Sequence, residues 1–212
     1  MNDVKTQAIG FLIFPGFPMA CLTSMIEPLR AANEISGTDT FSWKLVSEGS
    51  GKIHSSAGVA FDADVSLAQV TGLDCLILLS PPMGDFEAPR TSNGALRSLE
   101  RHGCILGGVS GGVFPLTRAG VMASHVVSVH WCYEAAFRSE FPNIEASDQV
   151  IEVSNRRFTA SGAAAAFDLS LRLIETTLGG DVATEVACWF QHPLMRGEGV
   201  RQTIPTFRKT ST

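Results

Sequence analysis

Residues 104–120, CILGGVSGGVFPLTRAG, hold an apolar run, a glycine-rich turn and the start of a helical pattern in direct succession. The run CILGGV is continuous and uncharged, as a strand covered on both faces of a parallel sheet is. Gly108-Val109-Ser110-Gly111-Gly112 follows the GxSxG pattern, and the spacing over residues 113–119 predicts a helix that begins at once. Glycines permit a turn where a Cβ would clash, and they leave Ser110 at the tip beside the free amide N–H groups of a helix start. The arrangement suits three uses, which the motif alone leaves open: a tight structural turn, a nucleophile, or a seat for an anion.

The same grammar extends in both directions. Residues 8–14, AIGFLIF, predict a second buried strand ended by Pro15-Gly16, and apolar residues at helical spacing over 20–35 predict a helix stopped by Gly37. Residues 41–47 alternate as a strand does, and IHSSAGVAF after them reads as a hairpin-like excursion. Further strands are expected at 73–80 and 126–129, helices at 93–101 and 131–141, and a hairpin turning at Ser154-Asn155. A strongly apolar helix over 163–177 and a last helix capped by Asp181 complete the pattern. Alternating strands and helices of these lengths predict a doubly wound, mostly parallel α/β sheet with helices on both faces, in the flavodoxin-like manner. We expect one domain over residues 1–192 and a tail over 193–212.

Composition supports this class. The chain has 212 residues, of which 45% are hydrophobic and 17% charged, enough apolar material for one sizeable core and too much for a disordered chain. No apolar run reaches the eighteen or so residues of a bilayer span, so no membrane partner is expected. The net charge of −5 argues against a body that grips nucleic acid through phosphates. It is unevenly distributed, because Arg196, Arg201, Arg208 and Lys209 against Glu198 make the tail basic. Five cysteines without a CxxC pair, and an N-terminus without a signal-peptide core, suggest a reducing cytoplasm and no metal site. Cys75 and Cys104, inside apolar runs, read as small buried hydrophobes.

Nucleophilic use of Ser110 requires a base and an orienting acid. His130, twenty residues on at the end of an expected strand, is the candidate base, and Asp168 with His192 is the alternative acid and imidazole in chain order.

Three segments carry a resemblance: VSGGVFPLTRAGVM at 109–122, VHWCYEAAFRSEFP at 129–142 and RRFTASGAAAAFDLSLRLIE at 156–175. Together they resemble the class I glutamine amidotransferase-like (ThiJ/PfpI-type) sensor domain at the N-terminus of AraC/XylS-type transcription regulators. IEPLRAANEISG at 26–37 and FSWKLVSEGSGKIHSSAG at 41–58 are similar to the branch that governs amine and amino-acid catabolism, with sensors of glycine betaine, carnitine and arginine. In catalytic members of this superfamily the elbow residue is a cysteine, assisted by a carboxylate four residues before a first-helix proline. Here Ser110 and Ser24 stand at those positions, with Ser24 four residues before Pro28, so the resemblance implies a non-enzymatic, cofactor-free sensor. It further implies a homodimer, a small-molecule effector, and contact with DNA only through a C-terminal region lying after this chain. The effector's carboxylate is expected at the amides of Gly111 and Gly112 beside Ser110. Glu27 is expected to face its cation, with His130, Trp131 and Ser24 around it and Phe17, Phe86 or Phe114 as further aromatic walls.

Overall fold

In the computed structural model, which describes residues 6–49, 51–82, 84–192 and 199–205, the chain opens with β1 (Gln7–Ile13), a run whose residues from Ile9 onward are buried. It continues through α1 (Met19–Ser36), β2 (Phe41–Ser47), β3 (Lys52–His54), β4 (Ala60–Asp62), β5 (Val65–Ser66), β6 (Cys75–Ser80) and α2 (Pro89–Arg101). The second half runs β7 (Ile105–Ser110), α3 (Val113–Arg118), β8 (Val127–Ser128), α4 (Glu134–Glu140), β9 (Ala146–Ser147), β10 (Ile151–Ser154), β11 (Arg157–Ala160), α5 (Ala163–Leu178) and α6 (Gly180–Trp189).

Seven strands form one sheet in the order β10-β11-β7-β6-β1-β2-β5. All neighbours are parallel except β10 and β11, the expected hairpin, where Asn155 supplies the positive φ of the turn. The chain builds outward from β1 to β2 and β5, then crosses to β6 on the other side of β1, which makes the β1–β6 boundary a topological switch point. Alternation along β1 divides the apolar residues between two layers. Phe11 and Ile13 join Leu22, Met25, Leu29, Leu169 and Val186 under α1, α5 and α6, while Leu12 joins Leu78, Leu96, Phe114 and Phe137 under α2, α3 and α4. The doubly wound, mostly parallel sheet with helices on both faces is therefore what the periodicity predicts.

Several local expectations change. The helix expected from residue 131 begins only at Glu134, because Trp131, Cys132 and Tyr133 form a turn held by the Tyr133 amide on the His130 carbonyl at 2.8 Å. Asp181 does not cap α6; it lies inside the first turn, behind Gly179 as N-cap, where its charge still complements the helix dipole. Residues 199–202, assigned to a tail, are bound to the body: Arg201 bridges Gln149, the Val150 amide donates to the Val200 carbonyl at 2.8 Å, and the Gln202 amide donates to Asp148. The basic residues Arg196, Arg208 and Lys209 lie outside the described residues.

Candidate functional site

The C-terminal ends of β1, β6 and β7 lie along one edge of the sheet, with Ile13 in register with Leu79 and Ser80 with Ser110. The elbow stands at that edge. Ser110 has φ +56, a left-handed conformation that an L-residue adopts at a cost of about 1–2 kcal/mol, and only 6% of it is exposed. The two glycines after it are demanded by proximity. A Cβ on Gly111 would lie 2.3 Å from the Pro81 carbonyl, and one on Gly112 would lie 2.0 Å from the Leu78 oxygen. The start of α3 is thus pressed against the backbone of β6, which holds the elbow rigidly.

Above the elbow sits the turn that follows β8. The Tyr133 phenol meets the Ser110 and Cys132 side chains, with Cys21 of α1 nearby. Its pKa is raised, chiefly by burial and next by the adjacent Cys132, while the Ser110 hydroxyl draws it back. His130 Nδ1 lies 2.9 Å from Cys132 Sγ and accepts the Cys132 amide at 3.3 Å. That nitrogen therefore carries no proton, and the neutral ring bears its proton on Nε2. Burial depresses the His130 pKa and favours the same neutral form. The ring is tilted against both Trp131 and Tyr133, with centroids 5.5 and 5.1 Å away.

Beside His130 opens a cleft of about 250 Å³, walled by Trp131, Ser161, the first residues of α5 and Gln202. Gln202 closes one side by accepting the Trp131 amide at 2.9 Å and donating to the Val129 carbonyl at 2.8 Å. Trp131, 40% exposed, offers an open indole face. A larger hollow of about 570 Å³, lined by Gln7, Asp74, Ile105, Arg157 and Leu173 among others, lies at the opposite ends of the strands, away from the elbow. The smaller cleft opens beside His130 at the C-terminal end of β11, on the same edge of the sheet as the elbow, and among the described residues none from β1, β6 or β7 lines it.

The expected site residues are only partly gathered. Ser110, Gly111, Gly112, His130 and Trp131 belong to this edge of the sheet. The Gly112 amide, expected to hold a carboxylate, already donates to the Val109 carbonyl at 3.0 Å. Glu27 pairs along its own helix with Arg30 at 3.0 Å, at a half-exposed position, so its charge is met from within α1. Ser24 is half-buried on α1. Phe17, Phe86 and Phe114 are core residues, packed edge-on or tilted against Phe61, Phe14 and Phe137. Asp168 and His192 do meet, at 2.8 Å, where they tie the end of α6 to the fully buried face of α5. The sequence reading missed Tyr133, Cys132, Ser161 and Gln202; only the adjacency of the first two to His130 offered any signal. Among the described residues no three His, Cys, Asp or Glu side chains are grouped as metal ligands would be, and no helix is long and apolar enough to cross a membrane.

No protein-family model matches the chain. The HTH-type transcriptional regulator GbdR of Pseudomonas aeruginosa is 31% identical over 199 residues, which are 94% of this chain and 54% of that protein. The chain thus spans about half the length of the curated relatives it matches. Among solved structures, an AraC family transcriptional regulator from Pseudomonas putida superposes with a TM-score of 0.79 at 24% identity, over 87% of this chain and 99% of that one. A ThiJ/PfpI family protein from Pseudomonas syringae gives 0.73 at 16% identity, covering all of this chain and 83% of its own.

Proposed function

Because the chain is a homologue of HTH-type transcriptional regulators and has the ThiJ/PfpI-type fold, we propose that it is the non-catalytic sensing domain of an AraC-type regulator, responding to an amine, betaine or amino-acid metabolite. The observation that carries the reading is the disposition of the elbow. Its strained geometry is kept, yet His130 turns Nδ1 toward Cys132, and no imidazole is hydrogen-bonded to the Ser110 hydroxyl among the described residues. A serine without an imidazole on its hydroxyl is a poor nucleophile near neutral pH. The same rigid edge beside an open indole is suited to holding a small molecule.

In this reading the effector occupies the cleft beside His130 and Trp131, next to the elbow. The strap of residues 199–202 is hydrogen-bonded to the body at Asp148, Gln149 and Val150, and Gln202 with Thr203 forms part of the cleft wall. A ligand that binds one arrangement of that strap better than another biases a homodimer by its difference in affinity and by no more.

The test is a thermal-shift screen of the purified chain against amines, betaines and basic amino acids. A ligand at a hundred times its dissociation constant stabilises the native state by about 2.7 kcal/mol, which is about 5–10 °C for a chain of this size. A saturable shift from one class is the expected result. Stoichiometric labelling at Ser110 by an activated-serine reagent, lost in Ser110→Ala, would overturn the non-catalytic reading.

A further inference from the structure

The cleft contains a set of hydrogen-bond donors that the protein itself leaves unspent. The first hydrogen bond within α5 runs from the Ala166 amide to the Gly162 carbonyl, at 2.8 Å, so the amides of Ala163, Ala164 and Ala165 find no acceptor inside the helix. All three residues line the cleft. So does Ser161, which is 94% buried and whose hydroxyl has no hydrogen-bond partner among the described residues. His130 adds a third kind of donor. Its Nδ1 is engaged by Cys132, and the Cδ2 edge, which adjoins Nε2, faces Gly162 at the helix start.

Charge narrows what these donors can hold. Among the described residues the cleft is lined by no Lys, Arg, Asp or Glu, and α5 is a sixteen-residue helix whose dipole places about half a positive charge at its start. Half a positive charge offsets half of a carboxylate's single negative charge, and the neutral donors satisfy its two oxygens; a dianionic phosphate in the same place would keep a larger excess. From these observations we propose that the cleft at the start of α5 is a carboxylate site, in which the amides of Ala163–Ala165, the Ser161 hydroxyl and His130 Nε2–H hold the carboxylate and Trp131 covers the remainder of the molecule. This moves the anion seat from the elbow, where the Gly112 amide is occupied, to the neighbouring helix. As the seat of the effector's carboxylate it rests on the sensing function proposed above, but the site can be tested without knowing the effector.

The experiment is a titration of the ¹⁵N-labelled full chain with sodium acetate, followed by amide chemical shifts at constant ionic strength, with methylammonium chloride as control. The expected result is a saturable movement of the Ala163, Ala164 and Ala165 amides with acetate and none with methylammonium. Ser161→Ala weakens acetate at least three-fold. Ala163→Pro deletes one donor at a helix position that accepts proline, and it weakens acetate similarly while the rest of the spectrum keeps its wild-type pattern. Acetate that moves the Gly111 amide and leaves these three in place, or no saturable response up to 0.1 M on the order of millimolar-weak binding, overturns the site. An effector found by the thermal screen that neither displaces acetate nor moves these amides overturns the cleft as the seat of the effector's carboxylate, and the sensing function then stands alone. Acetate docking here without any effector from the screen upholds the carboxylate site and counts against the sensing function.

Discussion

Replacing Gly112 by alanine probes the close approach that shapes the elbow. Gly112 has φ −59 and ψ −17, dihedrals that alanine adopts freely, so backbone strain plays no part in the outcome. The obstacle is steric: the new methyl would stand 2.0 Å from the Leu78 oxygen and 2.7 Å from its carbonyl carbon, whereas ordinary contact begins at 3.4 Å. The start of α3 must therefore retreat from β6 by about 1.4 Å, the difference between 3.4 and 2.0. The obstacle is the backbone of a central strand and cannot rotate away. Overpacking of this kind costs about 1–3 kcal/mol, and an immovable neighbour puts the expectation near 3. For a chain of this length that lowers the melting temperature by about 6–12 °C, and the urea midpoint falls with an unchanged slope. Gly94→Ala is the matched control, because Gly94 lies inside α2 with nothing within 4 Å of the added methyl. It should gain about 0.8–1 kcal/mol from helix propensity. A Gly112→Ala protein that melts within 2 °C of wild type would refute the close packing and with it the rigid elbow.

Other outcomes follow from the same geometry. Ser110→Gly should be more stable than Ser110→Ala by about 1 kcal/mol in paired urea melts, since both lose the hydroxyl but only glycine relieves the positive φ; equal stability would remove the strain argument. Burial raises the Cys21 thiol to about 12 and the Cys104 thiol to about 11, and it pushes that of Cys75 well upward, so at pH 8 iodoacetamide should modify the exposed Cys132 and Cys188 and spare the other three until denaturant is added. Mass spectrometry of the folded protein reads this directly, and early modification of Cys75 would contradict the packing of β6. His130 and His125 have pKa values lowered mainly by burial, so the unfolded chain binds more protons than the folded one as pH drops through about 6.5. Their contribution to stability is present above that pH and lost below it, and melting temperatures should fall between pH 7 and 5.5, less steeply in His130→Gln. Glu100→Gln removes the carboxylate from the buried Arg157 guanidinium and should cost about 1–3 kcal/mol, moderated by the partial exposure of Glu100.

What could be read without coordinates was local. The strands at β1, β6 and β7 announce themselves as continuous apolar runs, the Gly37 stop of α1 needs only a residue without a Cβ in the left-handed region, where it has φ +65, and the GxSxG turn follows from its own glycines. These features depend on residues within one turn or one strand of each other, and so does the choice of a doubly wound parallel sheet from alternating elements. The pairings that make the site are of another kind. Gln202 reaches Trp131 across 71 positions of sequence, and Ser161 meets His130 in one cleft only because α5 returns over the sheet edge where β8 ends. Glu27 looked available until α1 placed Arg30 one turn away and Arg30 proved to be its partner rather than solvent's. Phe17, Phe86 and Phe114 looked like possible walls of a pocket, and packing took all three into the core. Periodicity states which face of an element is apolar; which polar groups are left with unspent donors is settled only when distant segments have taken their own partners, and that is why the seat beside α5 became visible in the tertiary structure alone.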